Sequence, residues 1–486
     1  MFNDALPASI DRRIIDDDSE IRNQFAGHPG LETPLIPTLI VYPGNREDVQ
    51  DIVKLANDHK TPLVPVSSGP PRFRGGTVPS RGGVIVDFSR MNHIRKIDKT
   101  SRYVMVEPGV TYGELVPELK RHGLRLNLPL LPRANKSIVT STLEREPRLI
   151  PKYQYDTIDP LLTLEVVYGT GDDFRTGSAS GPGNPETLKA DMVNPWGPGS
   201  VDFFRFVSGA QGTMGLVTWA VIKTEVLPSL RKIYFIPAEN HRDLTGPMNM
   251  LLRKRILDEC LVLNDVNLAA ILAGDRVADA PGIKKNMPSW TLIATVAGYQ
   301  RRPEERVQIH EKHVLDICRT FGLQPQRSLP GTGENGERIL ENLSNPWSGT
   351  PYWKLGCKNS CRDIFFLTTL SRLSEFIDLM KETVSRYSYP LEDMGCYIQP
   401  MVQGRGCHCE FNLPCDTSDS EEAAEVGKLF MDASETLMNK GAFFSRPYGP
   451  WAKMVYSLDR EGEKVLKKLK KIFDPNNILN PGKLCF

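Results

Sequence analysis

Two short apolar runs, at residues 63–66 and 84–88, are joined by Ser67-Ser68-Gly69-Pro70-Pro71-Arg72-Phe73-Arg74-Gly75-Gly76-Thr77-Val78-Pro79. A linker this rich in Gly, Ser and Pro between two strands aims several backbone N–H groups at one point. Such a concavity binds anions, phosphate first of all. Gly69, Gly75 and Gly76 permit positive φ and close approach of a ligand, and Arg72 and Arg74 add positive charge. An ordinary surface loop is the competing reading. Upstream, residues 39–42 read as a strand ended by Pro43-Gly44. Between Arg46 and Lys60, the residues Val49, Ile52, Val53 and Ala56 fall on one helical face. The result is a small α/β unit with its loop at a strand end, where ligands of open α/β sheets bind.

The same reading continues along the chain. A strand at 103–107 runs into the tight turn Pro108-Gly109-Val110-Thr111-Tyr112, then a helix carrying Leu115 and Leu119 that stops at Gly123. A strand at 162–168 precedes Gly169-Thr170-Gly171-Asp172, and Gly209-Ala210-Gln211-Gly212-Thr213-Met214-Gly215 is a second glycine-rich turn entering a strand. The Gly/Pro/Asn-rich residues 178–200 form a long loop, of the kind that is usually functional. After residue 228 the composition changes. Strands are expected at 232–236, 290–297, 364–370, 396–402 and 408–413. Residues 251–262 read as helical, and amphipathic helices follow at Pro303, at Leu373 and around Val426–Leu437. Strand and helix alternating on short links predict an antiparallel sheet covered by helices. A basic helix with Val465, Leu466, Leu469, Ile472 and Phe473 closes the chain, its lysines forming a solvated face.

Length, at 486 residues, suggests two or three domains. The 60 basic and 59 acidic residues balance, which favours neither nucleic acid nor an anionic membrane. No apolar run approaches a membrane span, the N-terminus lacks a signal-peptide pattern, and nine cysteines suggest free thiols in a reducing cytoplasm.

Together these fragments resemble the flavoproteins of the vanillyl-alcohol oxidase and p-cresol methylhydroxylase family. The resemblance runs from about residue 39 to 483. It rests on the 65–79 loop, Glu107-Pro108-Gly109-Val110-Thr111-Tyr112, Glu165-Val166-Val167, Gly209-x-x-Gly212-Thr213-x-Gly215-x-Val217-Thr218, and the terminal Asp474-Pro475-Asn476-Asn477-Ile478-Leu479-Asn480-Pro481-Gly482-Lys483. It implies an α+β fold in which a two-part FAD-binding domain is built from both chain ends, with an inserted cap domain of antiparallel sheet covered by helices. The implied boundaries are a leader at 1–33, the FAD-binding domain at 34–227, the cap at 228–440, and a completing segment at 441–486. FAD is expected to be held non-covalently by Val66, Ser67, Ser68, Gly69, Arg74, Gly75, Gly76, Pro108, Gly109, Thr140, Ser141, Glu144, Gly212, Gly215, Val217, Arg446 and Lys483.

The implied reaction is oxidation of a small substrate at a CH–OH or 4-alkylphenol CH group. Arg446 aligns with an arginine that holds the phenolate in such enzymes, with Tyr448 beside it. Asp156 matches the family's active-site acid. His408 and Glu410 alternate with Cys407 and Cys409 along one strand, so His408 facing the flavin could serve as base, ligand or attachment site. Arg74 and Ser445 stand where phenol oxidases carry tyrosines, and Thr140-Ser141 replaces a Gly-Asn pair. Two arginines in such a pocket suit an anion, including a carboxylate. The metal-binding motifs of the related 2-hydroxy-acid dehydrogenases are incomplete, so no metal is expected. Gly331-Thr332-Gly333-Glu334-Asn335-Gly336 matches a dinucleotide fingerprint by chance, because no strand precedes it. The leading expectation is hydride abstraction from an aromatic, anionic alcohol-type substrate. A D-2-hydroxy-acid dehydrogenase feeding an electron-acceptor protein and a non-catalytic flavoprotein subunit are the alternatives. A homo-oligomer is also expected.

Overall fold

The computed structural model describes the chain except for residues 1, 15–36, 38, 71–76, 78, 152–159, 182–186, 189, 191, 198, 200 and 330–335. The opening α/β unit forms as expected. Asn45 caps helix Arg46–His59 by accepting from the Asp48 N–H, and Val49, Ile52, Val53 and Ala56 are its buried face. That face packs on a four-stranded sheet in which Leu39–Tyr42, Val84–Asp87 and Leu63–Val66 lie parallel, in that order. The N-terminal segment is less irregular than its composition suggests: Asp11–Ile14 adds an antiparallel edge strand to Leu39–Tyr42.

A second, antiparallel sheet has the order Ile94–Asp98, Tyr103–Val106, Leu216–Lys223, Leu161–Val167, Asp173–Arg175. Thr111 and Glu114 form a reciprocal capping box on helix Tyr112–Arg121, whose buried Tyr112, Leu115 and Leu119 join the core of this sheet.

The chain end returns to the first sheet. Leu63 N–H donates to Ile478 O at 2.7 Å and Asn480 N–H donates to Leu63 O at 2.8 Å, so the terminal motif extends the sheet beyond Leu63–Val66. Asp474 organises this turn by accepting from the N–H groups of Ile478 and Leu479. Lys470 donates to Thr213 O, Asp474 Oδ2 and Leu479 O and is buried. The expectation of a wholly solvated lysine face therefore fails at this residue. Three acceptors in one buried spot are what retain its ammonium there.

Between the chain ends, six antiparallel strands run in the order Leu230–Ala238, Trp290–Gly298, Cys260–Asn264, Gly395–Met401, Gly406–Cys415, Ser360–Thr368. Helices His241–Arg253, Pro303–Thr320, Leu373–Val384 and Ser420–Asn439 contribute to the large core on one face. The opposite face packs Ile233, Phe235, Leu261 and Leu263 against Leu130, Leu131 and Leu149 of the first half. The helix expected at 251–262 is misplaced. The helix ends at Arg253, Arg255 takes φ 54°, and Cys260–Asn264 is a central strand. A strand buried on both faces is an unbroken apolar run, which periodicity cannot separate from a helix. Among the described residues no helix is long and apolar enough to cross a membrane. All nine cysteines are free thiols.

Candidate active site

The first groove lies between the two sheets of the nucleotide-type half. Pro65, Val66, Ser67 and Ser68 form one side, and Gly209, Gln211, Gly212, Gly215 and Val217 form the other, with Phe88, Val139, Leu143 and Leu216 as apolar walls. Gly212 is required here. Its φ is +73°, and a Cβ would lie 2.3 Å from Pro65 Cγ. Gly215 likewise comes so close to Val166 that a Cβ would lie 2.3 Å from its Cγ2. Ser67 Oγ and Thr140 Oγ1 are hydrogen-bonded across the groove. Polar hydroxyls and backbone at one side, with a flat apolar slot beside them, fit the phosphates and ring systems of an extended FAD.

A second cavity shares Ser68, Thr77, Thr140 and Glu144 with this groove and reaches the cap sheet at Lys354, Asp363, Tyr397 and Glu410. A third, of about 490 Å³, continues from it through Glu146 and Pro147 to Arg145, Arg148, Arg372, His408 and Arg446. The cap residues arrive by strand alternation. Along Gly406–Cys415, the residues Cys407, Cys409, Phe411 and Leu413 enter the helix-covered core, while His408, Glu410 and Asn412 face the other way. Register pairs Leu367 with His408, Phe365 with Glu410 and Asp363 with Asn412, so the neighbouring strand adds one carboxylate, Asp363, and two apolar side chains to this face.

Charges on this face are tightly coupled. Lys354 Nζ donates to Asp363 Oδ2 at 2.6 Å and to Glu410 Oε1. Burial alone would lower the Lys354 pKa, but the two carboxylates hold it above its ordinary value. Burial pushes the Glu410 pKa up. Lys354 and His408 outweigh that and hold it well below the usual carboxylate range. His408 Nε2 lies 3.2 Å from Glu410 Oε2. Burial brings its pKa down to about 4, the Glu410 bond opposing and the charges of Arg446 and Lys354 adding to the fall. Arg446 is buried, with its guanidinium 4.2 Å from the Phe365 ring centroid. Arg148 is also buried and donates to Tyr112 OH at 2.8 Å.

The site residues expected from sequence divide accordingly. Val66, Ser67, Ser68, Pro108, Thr140, Glu144, Gly212, Gly215, Val217 and Tyr448 line the first groove. His408 and Arg446 share the large cavity. Ser141 does not line these cavities. It is fully buried, with its hydroxyl 2.7 Å from Tyr112 OH and 2.6 Å from Glu146 Oε2, because helix Ile138–Leu143 turns it inward while Thr140 faces out. Gly109 serves packing, since a Cβ would lie 2.5 Å from Phe88 O. Gly69 supports the loop by accepting from Arg133 and donating to Asn135. Lys483 is buried in the terminal segment, off the cavity walls. Arg74, Gly75, Gly76 and Asp156 lie outside the described residues, as does the chance fingerprint up to Asn335; Gly336 opens helix Gly336–Leu343.

Sequence reasoning missed Lys354, Asp363, Tyr397 and Arg148. Asp363 follows Arg362 just ahead of the apolar run 364–367 and reads from sequence as an ordinary strand-edge charge. Lys354, on a single 3₁₀ turn, carried no signal either. Among the described residues no group of three or more His, Cys, Asp or Glu side chains is placed to hold a metal ion.

Comparison with known proteins agrees with this architecture. Residues 37–144 match an FAD binding domain, and residues 369–484 match the C-terminal domain of FAD linked oxidases. The chain is 24% identical to glycolate oxidase subunit GlcD of Bacillus subtilis, across 92% of this chain and 89% of that one. It is 25% identical to the flavoprotein subunit of 4-cresol dehydrogenase [hydroxylating] of Pseudomonas putida, across 92% and 87%. D-lactate dehydrogenase [cytochrome] of Arabidopsis thaliana is 26% identical across 92% and 73%. In fold, it resembles p-cresol methylhydroxylase with substrate bound (TM-score 0.80, 20% identity, 98% and 94% covered). It also resembles the 4-ethylphenol oxidase of Gulosibacter chungangensis (TM-score 0.82, 20% identity, 99% and 95% covered). The chain thus carries an FAD binding domain and the C-terminal domain of FAD linked oxidases, in the fold of p-cresol methylhydroxylase.

Proposed function

We propose that this FAD-dependent oxidoreductase takes hydride from a small, anionic, aromatic alcohol-type substrate bound in the cavity shared by His408 and Arg446. The observation that carries the reading is the composition of that cavity. Arg145, Arg148 and Arg446 supply positive charge, the wall's carboxylate Glu146 is already paired with Lys136 and its Arg372 with Glu375, and Leu367, Met401, Val402 and Phe443 supply an apolar body-binding wall. Guanidinium groups match the fork of a carboxylate or the charge of a phenolate. FAD supplies the acceptor for the hydride's two electrons. The chain's own groups do the rest.

Arg446, fixed on Phe365, holds the anion. Glu410 stays ionised, so His408 donates Nε2–H to it and keeps Nδ1 as a lone-pair base for the substrate hydroxyl proton. As the C–H bond breaks, the hydride leaves carbon, the O–H proton passes to His408, and a carbonyl forms. An anion in the cavity raises the His408 pKa by offsetting Arg446, so substrate itself strengthens the base. His408 is committed to this pair, which supports non-covalent FAD.

The arginine set also favours a second reading, a D-2-hydroxy acid held by its carboxylate. One experiment separates them. Flavin absorbance is followed anaerobically with 4-alkylphenols, benzylic alcohols, D-lactate, glycolate and D-mandelate. Bleaching by the phenolic and benzylic compounds supports the first reading, and bleaching by the hydroxy acids alone replaces it with the second. Flavin that stays oxidised with every compound refutes both and leaves a non-catalytic subunit. Arg446→Ala should raise KM for the active compound about tenfold to a hundredfold, the loss of one charge-assisted bond.

A further inference from the structure

Behind the large cavity lies another, of about 300 Å³, and the two share Ile150 and Val402 as a common wall. Arg255, Arg306 and Arg405 line it, with His310 and Tyr299. The three arginines come from separate elements: the turn after helix His241–Arg253, the first turn of Pro303–Thr320, and the turn before strand Gly406–Cys415. All three are exposed, and among the described residues none uses its side chain in a hydrogen bond or ion pair. Arg306 is oriented over the Tyr299 ring, 5.3 Å from its centroid. The carboxylate at this cavity, Asp258, is already bonded to Arg125 at 2.6 Å and lies 3.6 Å from Arg231. It therefore does not neutralise the three.

The shared wall is conformationally unusual. Val402, Gln403 and Gly404 take φ of +51°, +56° and +83° in succession. Positive φ at a β-branched residue is sterically costly and persists only where surroundings hold it. Here Gln403 N–H is bonded to Pro151 O at 2.7 Å, and Pro151 itself lines the large cavity. Arg405 follows this turn directly, so an anion drawing on Arg405 pulls on the wall of the neighbouring cavity.

We propose that the Arg255–Arg306–Arg405 cavity is a second anion site, taking a small carboxylate- or phosphate-bearing molecule. Its occupation is coupled to the large cavity through the Val402–Gly404 turn. Only the coupling rests on the function proposed above. The test is calorimetric titration of the FAD-loaded full chain with inorganic phosphate and with succinate, at constant ionic strength, with chloride as control. Saturable binding is expected, weakened at least about tenfold by Arg255→Ser/Arg405→Ser and persisting in Arg446→Ala, which removes only the share of the heat that the large cavity contributes. Tighter phosphate identifies phosphoryl chemistry as the natural ligand class, and tighter succinate identifies carboxylate. Three results overturn the site: chloride binding as well as either anion, the double variant binding like the parent, or Arg446→Ala abolishing the heat. Coupling is read separately, as an anion-dependent change in the visible spectrum of bound FAD that the double variant lacks. Saturable binding with no spectral change removes the coupling and leaves the site.

Discussion

Removing the ammonium of Lys354 tests the electrostatic account of the cap face most directly. In Lys354→Met the chain keeps a side chain of similar length but leaves Asp363 and Glu410 facing one another without their shared cation. The three side chains are 11%, 16% and 5% exposed, so water screens them little. Breaking a buried pair by deleting one partner costs about 3–5 kcal/mol. At about 2–4 °C per kcal/mol for a domain of this size, the melting transition of the cap should fall by roughly 6–20 °C at pH 8. The loss depends on pH, and its sign follows from the shifts. In the parent Glu410 sits below its unfolded pKa, so its contribution is complete above about pH 4.3 and is lost as pH falls through the lowered value. In the variant burial acts without the cation and raises the carboxyl pKa, so stability falls as pH rises. The two proteins should therefore differ most at pH 8 and converge near pH 4–5. Urea unfolding followed by cap tryptophan fluorescence at several pH values measures this. A loss under about 1 kcal/mol at pH 8, or one independent of pH, refutes the account.

Other consequences concern the cofactor groove and the base. Gly212→Ala forces a Cβ onto the Pro65 ring at positive φ, and gel-filtered protein should retain well under half the parental flavin; full loading would show that the groove tolerates the shift. His408 is neutral when folded, so part of the parent's stability at pH 7, about 3 kcal/mol, disappears as pH falls from about 6.5 through about 4. His408→Gln should flatten that slope, and an unchanged slope would place the titration elsewhere. Acid precipitation should release the yellow colour into the supernatant, whereas colour in the pellet means a covalent bond. Lys470→Met strips three buried acceptors of their donor and should loosen the chain end, read as faster proteolysis between 474 and 486.

Much of the fold was legible locally. The helix at Arg46–His59, the glycine turn before Leu216 and the alternation of His408 and Glu410 against Cys407 and Cys409 depend on neighbours within a few residues, and pattern reports them. Central strand Cys260–Asn264 was misread because burial on both faces erases alternation. Ser141 was assigned to the groove from its place in a motif, yet one residue's rotation along helix Ile138–Leu143 turned its hydroxyl to Glu146.

The chain alone determined that two phosphate-suited turns lie in its first half, that a sheet-and-helix unit separates that half from the terminal segment, and that arginines and a histidine stand near the chain end. Those properties follow from composition and short-range spacing. Only the tertiary structure decided which charges meet. Lys354 reaches Glu410 across 56 residues, and Arg446 and Arg148 reach one cavity from opposite halves of the molecule. Such pairings are set by strand register within the cap sheet and by how that sheet packs on the first half, and no local pattern records a contact whose partners are distant along the chain.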